Sequence, residues 1–188
     1  MLIDRFAPDY HYSEVYSAVV HAAPQRTFRA IKEVRPSEIL LLGALFWIRS
    51  LPSRLTHRGR RGFLGTQPLL EQMLEGGFVQ LAEEAGREIV LGTIGQFWKL
   101  RGGLSPHIAS AEQFLLFDQA DFAKATLSFY LGEDGGEGRV EVTTETRIYI
   151  PDPVTRRKFA IYWRLIYPGS AFLRKMWLRA VRRRAEQR

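Results

Sequence analysis

The pattern of hydrophobic and polar residues predicts a strand near the start of the chain, followed by short helices. The Tyr- and Val-rich stretch over residues 10–22 favours a β-strand. Pro24 then begins "PQRTFRAIKEV", whose apolar spacing suits a short helix. Two more helices are predicted over "PSEILLLGALFWIRSLP" and "PLLEQMLEGG", the second ended by Gly76 and Gly77. The Arg-rich stretch between them, up to Thr66, is expected to be a loop.

After Gly77 the period of the apolar residues shortens to two, which is typical of β-strands. The segment "FVQLAEEAGREIVLGTIGQFW" predicts two strands, in which Gly92 and Gly95 mark a bulge or the close approach of another element. "EQFLLF" from Glu112 and "FAKATLSFYL" from Phe122 predict two more strands. The turn "GEDGGEG" predicts a hairpin to a final strand, "RVEVTTETRIYI".

The final strand alternates between two faces. One face is expected to line a core or a cavity, and it carries Val140, Val142, Thr144, Thr146, Ile148 and Ile150. The other is expected to be wet and carries Arg139, Glu141, Thr143, Glu145, Arg147 and Tyr149. For Glu141, Glu145 and Arg147 we favour solvated charges or an ion-paired sheet face over an acid–base pair.

Residues 153–188 predict one long helix with an aromatic face. That face consists of Phe159, Tyr162, Trp163, Ile166, Ser170, Leu173, Trp177, Ala180 and Val181. Pro168 lies on the opposite side with Arg157, Arg164, Lys175 and Arg182, so we expect the helix to bend over whatever the aromatic face covers. Ile161, Leu165, Phe172 and Met176 widen the apolar arc and predict contacts on several sides.

Composition bounds the class of protein. The chain has 188 residues, 46% of them hydrophobic and 12% aromatic, which is enough for one domain with a sizeable core. The absence of cysteine excludes a disulfide framework and thiolate metal sites. The start "MLIDRFAPDY" lacks the apolar region of a secretory signal, so a cytoplasmic location is expected. The longest uncharged apolar run, Ile39–Ile48, is about half of what spans a bilayer.

Charge is concentrated near the C-terminus. The chain carries +7, and residues 153–188 hold eleven Lys and Arg against one Glu, which leaves a small negative charge on the rest. The stretch "RKMWLRAVRRRAEQR" can contact nucleic acid or an anionic membrane, but a solvated helix face is favoured. We therefore expect no specific nucleic-acid partner and at most weak membrane contact. A monomer and a homodimer are both compatible with the sequence.

Candidate catalytic and metal-ligating residues are few. His11 and His21 lie roughly 33 Å apart on an extended strand and cannot share a metal. His57 and His107 have no ligand at a suitable spacing, and "PGSAF" around Ser170 is not a nucleophile elbow. We interpret Ser170 as a small contact residue and predict no metal, cofactor or catalytic residue.

Three segments carry a resemblance to a known family. "LEGGFVQLAEEAGREIVLGTIGQFWK", "VEVTTETRIYIPD" and "FAIYWRLIYPGSAFLRKMWLRAVRRRAE" resemble small bacterial proteins of unassigned function in the START-like (SRPBCC) superfamily. Lipid-transfer domains, polyketide cyclases and aromatases belong to it, as do coenzyme Q-binding proteins. The resemblance runs from about Tyr10 to Glu186 and implies a single α+β domain over residues 1–188. Its fold would be a helix-grip: a curved antiparallel sheet of about six to seven strands around a long kinked C-terminal helix, with two or three short helices after the first strand.

The resemblance also implies an elongated apolar cavity between the sheet and the C-terminal helix. Periodicity within the segments selects candidate lining residues: Gln96, Trp98, Val142, Thr144, Thr146, Tyr162, Trp163, Ile166 and Trp177, with Phe46 or Trp47 closing one end. For each aromatic residue, an ordinary core position is the alternative.

Three classes of function stay open at this point. We favour binding or carriage of a hydrophobic small molecule, such as a lipid, polyketide or quinone-like compound. The alternatives are a polyketide cyclase- or aromatase-like enzyme, and a non-catalytic interaction module that uses the basic, aromatic C-terminal helix.

Overall fold

The structure is a computed structural model that describes residues 1–39, 66–99, 103–133 and 138–187. Most of the second predicted helix, the Arg-rich loop, Phe46 and Trp47 lie outside the described residues. The described helices are Ile3–Phe6 (α1), Pro24–Glu33 (α2), Leu69–Glu75 (α3), Ala111–Leu116 (α4) and Pro153–Glu186 (α5), with a 3₁₀ turn at Pro36–Glu38. The described strands are Tyr12–Val20 (β1), Val79–Glu84 (β2), Glu88–Gly95 (β3), Ala123–Leu131 (β4) and Val140–Tyr149 (β5).

The strands form one curved antiparallel sheet in the order β1-β5-β4-β3-β2. The described residues hold five strands rather than six to seven. The strand predicted over "EQFLLF" was wrong, because this segment is α4. Ser110 Oγ accepts a hydrogen bond from the Gln113 amide at 3.2 Å, and Gln113 Oε1 accepts one from the Ala109 amide at 2.9 Å. These caps satisfy free amides at the helix start and outweigh the strand preference of the apolar residues.

Gly92 allows α4 to approach the sheet. A Cβ atom at Gly92 would lie 2.7 Å from Leu81 Cδ1 and 2.8 Å from Phe114 Cε2, so any side chain there would force these neighbours to move. The close approach predicted at Gly92 is therefore confirmed. The pairing of β2 with β3 also shifts register between Gln80 and Ala82, which marks a bulge in the neighbouring strand.

The face of the sheet that packs against α1 and α4 is named the outer face here. Its apolar cluster consists of Ile3, Phe6, Leu81, Val90, Ile94 and Phe114. The prediction that this face of β5 is wet was wrong for Glu145 and Arg147, which are buried. Arg147 Nε lies 2.7 Å from Glu145 Oε1, and Arg147 Nη1 lies 2.8 Å from Asp4 Oδ1. The ion-paired alternative is therefore confirmed. These charges are buried because the N-terminal segment covers them.

The opposite face, named the inner face, packs against α2, α3 and α5. The main core lies here and includes Val20, Phe28, Ile31, Leu70, Leu91, Leu127, Phe129, Leu131, Val142, Trp177 and Val181. Burying each large apolar side chain stabilises the fold by about 1.5–3 kcal/mol. This core positions the C-terminal half of α5 across the sheet.

The long C-terminal helix is confirmed as α5, a single helix of 34 residues. Asp152 caps its start, because the Asp152 carboxylate accepts hydrogen bonds from the amides of Val154 and Thr155. Pro168 lies inside the helix on an exposed face. No helix among the described residues is long and apolar enough to cross a membrane.

Two expectations about the surface of α5 hold in part. Contacts on several sides were predicted, and α5 does contact β1, β5 and α2, but the side chains of Ile161 and Leu165 are 76% and 80% exposed. The arginines near the C-terminus were expected to be solvated, and Arg179, Arg182 and Arg183 are exposed, but Arg184 forms ion pairs with Glu38 at 2.9 Å and with Glu33 at 3.2 Å. These pairs hold the end of α5 to the α2 region.

Candidate functional site

The packing of α5 against the sheet is uneven along its length. Phe159 and Tyr162 are buried near its N-terminal end, and Trp177 and Val181 are buried near its C-terminal end. Between these ends, no residue in the stretch 163–175 is buried. The side of this stretch that faces β1 is half-buried, so solvent reaches part of an apolar helix face. We name the partly exposed surface formed by this side of residues 163–175 and the neighbouring part of β1 the cleft.

An aromatic cluster lies at one end of the cleft. The Trp163 ring stacks on Phe159 with centroids 5.8 Å apart and lies 5.5 Å from Tyr12. The Trp98 ring meets Phe159 edge-on at 6.1 Å. The structure thus brings together four predicted site residues, which are Trp98, Tyr162, Trp163 and Ile166.

The other predicted site residues have different surroundings. Val142 and Trp177 lie in the main core, where Trp177 packs 4.8 Å from Phe129. Gln96 donates to Asp121 and accepts a hydrogen bond from the Leu104 amide. The Thr144 hydroxyl donates to the Ser128 carbonyl at 3.0 Å. Gln96 and Thr144 therefore have protein partners already, and a ligand contact at these four residues stays a prediction.

Polar side chains converge on the β1 side of the cleft. Glu14 is only 4% exposed, and Ser170 Oγ donates to Glu14 Oε2 at 3.1 Å. Glu14 lies opposite Thr146 in the pairing of β1 with β5. Arg174 lies one helical turn beyond Ser170, with its guanidinium 5.6 Å from the centre of the Trp177 ring. We name Glu14, Thr146, Ser170 and Arg174 the polar cluster.

Burial shifts the protonation equilibria of the groups in and beside this cluster. Desolvation raises the pKa of Glu14, and the Ser170 hydrogen bond and the positive charge of Arg174 oppose that shift. Desolvation lowers the pKa of Arg174 to about 10, against the attraction of Glu14. Burial, then a hydrogen bond with Tyr167, raises the pKa of Tyr16 to about 12. At neutral pH Arg174 therefore keeps its positive charge and Tyr16 stays neutral.

Glu14, Tyr16 and Arg174 were not singled out from the sequence, although the pattern contains them. Strand β1 presents alternate residues to the inner face, and Glu14 occupies such a position between Tyr12 and Tyr16. Arg174 falls about 60° from Phe159 around the helix, at the edge of the aromatic face. A charged residue on an otherwise apolar face was the available signal. The interpretation of Ser170 as a contact residue agrees with its hydrogen bond to Glu14.

Two surface grooves lie away from the cleft. One, of about 570 Å³, lies between α2, α3 and the turn from β2 to β3, and the other, of about 610 Å³, lies beside α4. An ion pair of 2.9 Å between Lys32 and Glu83 already pairs charges in the first groove. Within the described parts of the chain, no three metal-ligating side chains cluster. The candidate site is therefore the cleft, where polar atoms are enclosed and unpaired.

Comparison with known proteins finds matches among solved structures alone, and these are weak. No family model matches the chain, and no curated protein matches it. A solved protein of Chromobacterium violaceum is 13% identical, with 95% of this chain and 100% of that chain covered and a TM-score of 0.39. A hypothetical protein of Helicobacter pylori is 8% identical, with 97% and 94% covered and a TM-score of 0.40. A Thermus thermophilus protein is 13% identical, with 93% and 97% covered and a TM-score of 0.32.

Proposed function

We propose that the protein binds a hydrophobic small molecule, such as a lipid, polyketide or quinone-like compound, in the cleft between the sheet and α5. One observation carries the proposal: residues 163–175 are not buried, although both ends of the same helix face are. Apolar surface that remains in contact with water lacks the stabilisation of about 25 cal/mol per Å² that burial would give. An apolar ligand that covers this surface recovers that free energy, and the enclosed polar groups would orient the ligand.

The proposal includes the helix-grip interpretation of the fold. The order of strand, short helices, antiparallel strands and long C-terminal helix supports it. So does the position of α5, which contacts the inner face through β1 and whose C-terminal half enters the main core. We accordingly propose that the chain is a single START-like domain.

A mutant comparison tests the proposed ligand site. Trp163→Ala should weaken binding of a fluorescent fatty acid by roughly tenfold, because the ring supplies much of the apolar contact at one end of the cleft. Leu165→Ala is the matched control, since Leu165 lies two residues away with 80% of its side chain exposed. Arg179→Ala is a second control on an exposed position. Unfolding of all variants must be measured, because Trp163→Ala also removes packing.

Native mass spectrometry of protein purified from its own host tests the same proposal without a chosen probe. We expect a co-purified apolar compound that Trp163→Ala loses and Leu165→Ala retains. If a folded Trp163→Ala variant binds the fluorescent fatty acid as well as the original protein does, the ligand does not occupy the cleft.

One observation supports a second candidate, the cyclase- or aromatase-like enzyme. Burial raises the pKa of Glu14, which hydrogen-bonds to Ser170 beside the cleft. A carboxyl group with a raised pKa in an apolar site is suited to general acid–base catalysis. If the protein is such an enzyme, it should convert a poly-β-ketone substrate analogue, and Glu14→Gln should abolish conversion while the analogue still binds. An unchanged analogue recovered from the original protein favours binding alone.

A further inference from the structure

Within the polar cluster, three enclosed atoms lack a hydrogen-bond partner in the described part of the chain, and the indole nitrogens of Trp98 and Trp177 nearby also lack one. The three atoms of the cluster are Glu14 Oε1, Thr146 Oγ1 and Arg174 Nη1. Buried polar atoms in native proteins are nearly always paired, because an unpaired atom has lost its bonds to water without replacement. Three such atoms in one cluster therefore mark a place where water or a polar group of a ligand can complete their hydrogen bonds.

Strand pairing, a hydrogen bond and the positive charge of Arg174 acting on Glu14 bring these side chains together. Glu14 and Thr146 are direct neighbours across β1 and β5, on the inner face. Ser170 holds the second oxygen of Glu14 at 3.1 Å, which fixes the orientation of the carboxylate. Arg174 follows Ser170 at the i+4 position, so both side chains project from the same side of α5. Strand and helix thus contribute an acceptor and a donor to one place.

The chemistry of a ligand group that suits the cluster follows from what each atom requires. Glu14 Oε1 needs a donor, whereas Arg174 Nη1 needs an acceptor. A carboxylate would satisfy Arg174 but repel Glu14, and an ammonium group would satisfy Glu14 but repel Arg174. A hydroxyl group both donates and accepts, and it adds no charge to a site that already holds one of each sign.

We infer that the polar cluster selects a hydrophobic alcohol or phenol, whose hydroxyl donates to Glu14 Oε1 and accepts from Arg174 Nη1. The inference rests on the proposed function, because the apolar body of the ligand would occupy the cleft. Thr146 Oγ1 is the further unpaired oxygen within reach of that hydroxyl.

The neighbouring titratable groups do not change this charge balance. Tyr16 on β1 keeps its proton at neutral pH, since its pKa is about 12. Lys175 Nζ lies 5.6 Å above the ring of Tyr16, and Lys175 is exposed. The charges that face the hydroxyl are therefore those of Glu14 and Arg174, and they oppose each other.

Three probes with the same ten-carbon chain test the selection: 1-decanol, decanoate and decylamine. Their binding to the full chain is measured near neutral pH by displacement of a fluorescent apolar probe. We expect 1-decanol to bind about tenfold more tightly than either ion, because each ion leaves one charged side chain unpaired and meets a like charge.

Two charge-removing variants should reverse the selection in opposite directions. Glu14→Gln keeps the size of the side chain and leaves Arg174 as the local charge, so decanoate should become the preferred probe. Arg174→Met leaves Glu14 as the local charge, so decylamine should become preferred. Arg164→Met is the control, because Arg164 lies exposed on the other side of α5. If Glu14 or Arg174 had a purely structural role, its replacement would weaken the binding of all three probes to a similar extent.

The outcomes separate this inference from the proposed function. Preference for 1-decanol with opposite reversals in the two variants supports both. Equal binding of all three probes to the original protein overturns the hydroxyl selection and leaves the apolar site intact, with water the simplest partner of the polar cluster. If no probe binds and the fluorescent apolar probe also fails to bind, the proposed function fails.

Discussion

At the scale of single residues, charged groups decide the character of both sheet faces. Glu14 and Arg174 border the cleft on the inner face, while Glu145 and Arg147 are buried on the outer face. The alternation of residues showed which face each side chain occupies. It could not show what covers that face, because the N-terminal segment meets β5 about 140 residues away in sequence, as the bond from Arg147 to the Ala7 carbonyl illustrates.

Glu14→Gln should stabilise the protein near neutral pH. Burial raises the pKa of Glu14 above its ordinary value of 4.5, so the folded state holds this proton more tightly than the unfolded chain. The stability linked to this proton is present below that ordinary value and is lost as the pH rises through the folded-state pKa. The ionised carboxylate is therefore unfavourable at neutral pH. Urea unfolding of both proteins should show a gain for Glu14→Gln near about pH 8 that shrinks near about pH 4.

The difference between the two proteins isolates Glu14, because all other titrating groups are common to both. Arg174 and Tyr16, the titratable groups beside it, do not change charge between these pH values. A gain that is equal or larger at the lower pH would contradict the assigned direction of the Glu14 shift.

Arg147→Met should be strongly destabilising. Arg147 pairs with Glu145 at 2.7 Å, and the side chains of both residues are about nine-tenths buried. Removing one partner of a buried pair leaves the other charge uncompensated, which costs about 3–5 kcal/mol. Arg157→Met, at an exposed position of α5, is the matched control and should stay within about 0.5 kcal/mol. Chemical denaturation measures both, and similar losses would refute the structural role of Arg147.

At the scale of elements, the five strands, the short helices α2 and α3 and the long helix α5 were predictable, whereas α1 and α4 were not. Strands such as β1 and β5 follow from a period of two residues and α5 from a period of 3.6, while β3 is a continuously buried strand. Helix α4 was missed because six residues carry too little periodicity, although the Ser110 cap was readable in the sequence. Helix α1 depends on a tertiary contact, since Glu88 accepts hydrogen bonds from the amides of Leu2 and Ile3. No local pattern encodes that contact.

Pro168→Ala tests whether a bend in α5 creates the cleft. A proline inside a helix removes one backbone hydrogen bond, so alanine should stabilise the helix by up to about 3 kcal/mol. If the bend also lifts residues 163–175 from the sheet, the variant should bind the fluorescent fatty acid less tightly while unfolding at a higher temperature. Arg164→Ala, on the exposed side of the same helix, should leave binding unchanged. Greater stability with unaltered binding would show that Pro168 does not shape the site.

At the scale of the whole molecule, the sheet order lay beyond sequence reasoning. Strand β1 pairs with β5, which lies more than a hundred residues later in the chain. Closing so long a loop depends on tertiary contacts rather than on a local sequence pattern. The candidate site depends on this pairing, because it places Glu14 beside Thr146. Sequence patterns could therefore select Thr146, Trp163 and Ile166 as inward-facing, but not assemble the polar cluster around Ser170.

The distribution of charge yields a last prediction, that nucleic-acid binding is weak and sensitive to salt. Residues 153–188 carry most of the positive charge, yet Arg184 is engaged by Glu33 and Glu38, and Arg183 donates to the Glu38 carbonyl. Contacts to about three phosphates from the remaining exposed arginines would weaken roughly 40-fold between about 50 and 200 mM salt.

Fluorescence anisotropy with two duplexes of unrelated sequence measures this salt dependence. Both duplexes should bind equally, because arginines on the side of one helix contact phosphates without reaching base edges in any fixed register. Arg182→Ala, at an exposed position, should lower the slope of log affinity against log salt by about one. Tight binding of one duplex that persists at about 200 mM salt would instead require base contacts. Such contacts would make the basic helix, rather than the cleft, the main binding surface of the molecule.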